Sequence, residues 1–213
     1  MQIGPNLIYK CPKCGEFIQN GSLISGNTLH AQIYSDAKQI AGMLPEYPNL
    51  TKCQKCNEIF WLSDLKKVDA YFPVFLFKDA SKNKSNPEWA NADYADFLDI
   101  NDLHRALEMF LDKETVIRRM IWWKFNDRVR KGKDLFIDET DEHFWQQNCN
   151  RLLELFDKND TEQQVMIAEL YRNLGQFDNC LEIINGLPDD FNWLKDKFRE
   201  ECSKQNKLVF RLE

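Results

Sequence analysis

The chain has 213 residues, is 43% hydrophobic and 29% charged, and carries a formal net charge of −6. That length holds one or two domains with a real core, and the acidic balance argues against a globally basic nucleic-acid binder. The sequence has no apolar run of about 18 residues, and Met1 to Asn6 form no basic or apolar leader, so we expect no transmembrane helix, no signal peptide and a cytoplasmic location.

Two short stretches dominate the N-terminal third: Cys11-Pro12-Lys13-Cys14-Gly15 and Cys53-Gln54-Lys55-Cys56-Asn57. Each C-x-x-C aims two sulfurs at one point, and two such pairs supply the four thiolates that tetrahedral Zn²⁺ prefers. Gly15 and Asn57 sit where such a turn needs positive φ, and Pro12 pre-sets φ at the first turn. Leu7, Ile8 and Tyr9 precede the first pair and Phe17 and Ile18 follow it. Ile59, Phe60, Trp61 and Leu62 follow the second. These read as strands entering and leaving each turn. A redox dithiol and a disulfide framework are the alternatives, but the first wants a βαβ context and the second an oxidising compartment.

The pattern resembles a zinc ribbon over roughly residues 1–70. The resemblance implies Cys11, Cys14, Cys53 and Cys56 as ligands of a structural zinc, with no open position for catalysis. The 38 residues from Gly15 to Lys52 exceed the usual spacing of about 15–20, so the insert must carry structure of its own. We expect strands at Leu23–Ile24 and from Leu29 to Tyr34, then a short helix from Ala37 to Met43. His30 reads as a surface residue on the second strand, outside the Cys₄ set.

Ser63-Asp64 suits one helical turn. The apolar run Tyr71 to Phe77 reads as a packed segment. The polar stretch Lys78 to Glu88 reads as a loop and domain boundary, giving domains of 1–78 and 79–213. A short helix opens at Pro87-Glu88-Trp89. Asn101-Asp102 caps another, with Leu103, Leu107, Phe110 and Leu111 on one face. A third runs from about Lys113 to Val129, its stripe carrying Val116, Met120 and Trp123 with Ile117, Ile121 and Phe125. Further helices start at Thr140 and Asp160, and a last one covers about Asp189 to Lys204, with Phe191, Leu194, Phe198 and Cys202 inward. The tail, Lys207 to Leu212, reads as a strand or an extended docking segment.

Residues 160–188 place Ala168, Tyr171, Gly175, Phe177 and Cys180 at the small–large spacing of two antiparallel helices with a Gly turn, and they resemble one tetratricopeptide repeat (TPR). The fold class expected is therefore α+β: a small zinc-ribbon antiparallel sheet followed by an all-α domain of TPR-like hairpins.

Chemistry beyond the metal is sparse. His30, His104 and His143 share no ligand spacing, Cys149, Cys180 and Cys202 read as core thiols, and no phosphate loop or acid/base pair is recognisable. Catalysis is thus unsupported, and the expected role is an interaction or adaptor module with a protein or peptide partner. The alternative is nucleic-acid binding through the knuckles and a basic helix. Arg118, Arg119, Lys124, Arg128, Arg130, Lys131 and Lys133 stand against Asp127 alone between residues 118 and 133. Trp122, Trp123 and Phe125 lie among them as candidate stacking platforms. A solvated helix face pairing with Asp138, Glu139, Asp141 and Glu142 explains the same charges.

Overall fold

The computed structural model describes residues 1–72 and 88–212. The chain is an α+β protein that divides into two compact units, residues 1–30 with 41–102 and residues 31–40 with 103–213. The boundary expected at residues 78–79, residues 73–77 of the apolar run, and the loop up to Pro87 fall outside the described residues.

The first unit is built on short strands. β1 (Gln2–Ile3) pairs antiparallel with β4 (Leu23–Ser25). β2 (Asn6–Lys10) and β3 (Phe17–Asn20) form an antiparallel hairpin. β9 (Asp69–Tyr71) joins β2 on its free edge, and β10 (Asp93–Tyr94) joins β3 in parallel, giving the order β10-β3-β2-β9. A second hairpin pairs β7 (Leu50–Lys52) with β8 (Ile59–Trp61). Both hairpins end in a C-x-x-C turn, as the flanking apolar residues require. One cluster buries Ile18, Phe60 and Leu62 around Cys11 and Cys53. Another buries Ile8, Trp89 and Ala92, where Tyr71 stacks on Trp89 with ring centroids 4.8 Å apart. Leu62–Asp64 form the expected single turn, as 3₁₀-helix.

The second unit is helical: α1 (Ile100–Met109), whose first residues belong to the first unit, α2 (Glu114–Arg130), α3 (Glu139–Leu155), α4 (Thr161–Asn173), α5 (Phe177–Gly186) and α6 (Asn192–Ser203). Asp138 and Asp160 cap α3 and α4 by accepting from the N–H of Asp141 and Gln163. Gly175, at φ 78°, turns α4 into α5. The core between them buries Ala168, Cys180 and Ile184 together with Leu194, Phe198 and Cys202 of α6. The face of α2 is rotated from the expected stripe: Ile117, Ile121, Trp122 and Phe125 are buried, while Val116 is 39% exposed. Leu111, expected on a core face, is 76% exposed.

The long insert departs most from expectation. His30 and Ala37 both take positive φ, so the strand expected from Leu29 shrinks to β5 (Gln32–Ile33). In place of the helix expected from Ala37, β6 (Gln39–Ile40) returns antiparallel to β5. This hairpin belongs to the helical unit, where the tail docks on it. Tyr34 bridges Arg211, and Ser35 N–H and Leu212 N–H donate to the carbonyls of Phe210 and Ile33 at 2.9 and 2.7 Å.

Buried polar groups fix the hairpin tip. Asp36, fully buried, pairs with Arg130 and accepts from Asn126 Nδ2 at 2.8 Å. Ser35 Oγ donates to Glu169 at 2.8 Å. Arg172 holds the same carboxylate through Nε and Nη2 at 2.8 and 2.6 Å. Burial pushes the Glu169 carboxyl up, and the Arg172 charge and donors oppose it.

Candidate metal centre

The two knuckles are built alike. In the first, Cys11 N–H donates to Glu16 O at 2.8 Å and Gly15 N–H to Cys11 O at 3.0 Å. In the second, Cys53 N–H donates to Glu58 O and Asn57 N–H to Cys53 O, both at 2.9 Å. Gly15 at φ 75° and Asn57 at φ 58° make the left-handed step that each turn needs. Each turn thereby points its following amide back at a sulfur: Glu16 N–H reaches Cys14, and Glu58 N–H reaches Cys56.

The four sulfurs of Cys11, Cys14, Cys53 and Cys56 all lie within 4.8 Å of one another. Cys11 and Cys56 are 3.6 Å apart and Cys14 and Cys53 3.7 Å. Those separations match the edge of a tetrahedron with metal–sulfur bonds of about 2.3 Å, which is about 3.8 Å. The set could hold a metal ion. Cys11 and Cys53 are buried, Cys56 is half-buried and Cys14 is exposed. The Glu16 amide and neighbouring thiols bring Cys14 down to about 7. At Cys56 the Glu58 amide is outweighed by desolvation and the other thiols, which push it up to about 12. An ion held by all four thiolates would have its tetrahedral positions filled by sulfur.

Crossed ion pairs bridge the knuckles: Lys13 Nζ meets Glu58 at 2.9 Å, and Lys55 Nζ meets Glu16 at 2.5 Å. Sequence reasoning passed over these four residues although the signal was present. Lys follows the first Cys of each pair by two positions, and Glu follows the second Cys by two.

His30 is exposed, on a turn, and outside the sulfur cluster. Three arginines of α2 pair with carboxylates of their own unit. Arg118 donates to Glu114 at 2.7 Å, Arg128 pairs with Asp141 at 2.5 Å, and Arg130 pairs with Asp36 and Asp127. Arg119 lies over the Trp123 ring at 5.0 Å, and burial lowers its pKa. Lys124 is half-buried on α2, and Lys131 and Lys133 are exposed beyond its end. The aromatic platforms are engaged as well: Trp122 Nε1 donates to Asn173 at 3.0 Å, and Trp123 Nε1 to Asp36 O at 3.0 Å. Among the described residues no helix is long and apolar enough to cross a membrane. In comparisons with known proteins, no family model, no curated sequence and no solved structure matches this chain.

Proposed function

We propose that the chain is a non-catalytic interaction module. A structural zinc on Cys11, Cys14, Cys53 and Cys56 holds the first unit, and TPR-like hairpins of the second offer a surface to a protein or peptide. The observation that carries the metal half is the sulfur cluster, all four within 4.8 Å on twin knuckles. A tetrathiolate donor set favours zinc and, being closed, favours a structural role. The binding half is supported by a cleft of about 510 Å³ in the helical unit, with Phe136, Trp145, Gln146, Leu174, Gln176 and Lys207 among its lining, a size that suits a few side chains of a ligand.

Two experiments test the reading. Native mass spectrometry of protein purified without chelator is expected to show one zinc per chain, lost in Cys53→Ser. Absence of zinc and of uptake overturns the metal half. Selection from a peptide library is expected to yield ligands that weaken at least tenfold on Gln146→Arg with Lys207→Glu. Failure to enrich any sequence overturns the binding half. Nucleic-acid binding has less support, because Arg118, Arg128 and Arg130 are each matched by a carboxylate of their own unit.

A further inference from the structure

The metal-binding turns are a duplicated unit, and the duplication extends past the cysteines. Cys11, Lys13, Cys14, Gly15 and Glu16 recur as Cys53, Lys55, Cys56, Asn57 and Glu58, with the same order and offset. The backbone bonds recur with them. The charged side chains do not pair within a turn. Lys13 reaches Glu58 and Lys55 reaches Glu16, so each turn gives one cation and one anion to the other. The sulfur contacts cross in the same sense, Cys11 to Cys56 and Cys14 to Cys53.

We propose that Lys13, Glu58, Lys55 and Glu16 are positioning residues for the metal, forming a double clasp that holds the two knuckles closed and slows metal release. This rests on the zinc reading above. The argument is topological. The two cysteine pairs sit on separate hairpins, with residues 15–52 between them, so the turns are held to one another by the core around Ile18 and Phe60 and by the contacts that cross between them. One route by which the ion leaves is separation of one pair of sulfurs from the other. Both ion pairs span that line of opening and must break with it. Each pair is exposed, with the lysines 63% and 64% accessible, so either alone is weak and readily screened. Acting on one opening motion, they add.

The test is zinc transfer to a chromophoric chelator in excess, followed by absorbance, with far-UV circular dichroism confirming that each variant is folded. Lys13→Gln with Lys55→Gln is expected to release zinc about tenfold faster than the unaltered protein, the combined weight of two exposed pairs. Raising ionic strength is expected to speed release from the unaltered protein and to leave the double variant unchanged. The swapped variant, Lys13→Glu, Glu58→Lys, Lys55→Glu and Glu16→Lys, rebuilds both pairs in reverse and is expected to return to within about threefold of the starting rate.

Fast release from the swapped variant overturns the clasp, since the lysines would then act only by their charge near the thiolates. Equal rates for the double variant and the unaltered protein overturn it as well. Cobalt substitution separates the two readings. A thiolate-to-cobalt absorption band with unaltered release rates keeps the metal and rejects the clasp, whereas protein that takes up neither zinc nor cobalt rejects both.

Discussion

Asp36→Ala tests whether the insert is a structural part of the helical unit. Asp36 has no exposed surface. Its carboxylate faces the Arg130 guanidinium and Asn126 Nδ2, and its Oδ1 accepts from Lys38 N–H at 3.2 Å. Removing it strands a guanidinium that is only 4% exposed. Breaking a buried pair from one side costs about 3–5 kcal/mol. Asp127 still contacts Arg130 at 2.7 Å, which places the expected loss near the lower end, about 3 kcal/mol. Urea unfolding at pH 7, read by circular dichroism at 222 nm, reports the helices. With a slope of about 1–3 kcal/mol/M the midpoint falls by roughly 1–3 M. Asp36→Ala combined with Arg130→Met is expected to recover much of the loss, because the orphaned charge goes with its partner. A loss below about 1 kcal/mol with unchanged slope refutes the reasoning and leaves the hairpin an ornament.

Phe198→Ala, at a fully buried site on α6 packed against Phe210 at 5.3 Å, is expected to cost about 3–5 kcal/mol in the same urea experiment. Glu114 is held down at about 2 by Arg151 and then Arg118, below its ordinary 4.5. Its stabilising effect is therefore complete above about 4.5 and disappears as pH falls toward 2. The melting temperatures of Glu114→Gln and the unaltered protein should differ at pH 6 and converge by pH 2. Binding to mixed RNA and DNA oligonucleotides at low salt is expected to be weak. Tight binding with a steep salt slope, lost on reversing Arg118, Arg119 and Arg128, would favour the nucleic-acid reading instead.

The strands around the knuckles and the six α-helices were legible because their signals are local. Cys-x-x-Cys-Gly specifies its own turn, and Asp138 and Asp160 cap helices from within three residues of the bonds they make. The insert was not legible for the opposite reason. Leu29 to Tyr34 alternates like a strand, but the conformation of residues 34–38 is set by Asn126, Arg130, Glu169 and Phe210, at sequence distances of 90, 94, 134 and 175. No window around Ala37 contains those partners. The basic stretch of α2 was legible only in part: pairing with nearby acids was expected and Arg128 does meet Asp141, but Arg130 also meets Asp36 of the insert, a partner that no local window contains. The rotated stripe of α2 has the same origin, since which residues face inward depends on α3 and α4.

The excursion of residues 31–40 into the helical unit constrains the order in which the chain can mature. Both cysteine pairs precede helices α2 to α6 along the chain, so they are synthesised before those helices. Residues 31–40, which lie between the pairs, can close their own β5–β6 turn but must wait for positions 126 to 212 before their buried polar groups find partners. No single cut separates the halves cleanly either. A fragment ending at 102 keeps a hairpin whose buried Asp36 has lost its cation. A fragment starting at 103 exposes Arg130, Glu169 and the docking edge of the tail. The helical unit is therefore expected to be obtained whole only when residues 31–40 are supplied with it, in the same chain or added as a peptide.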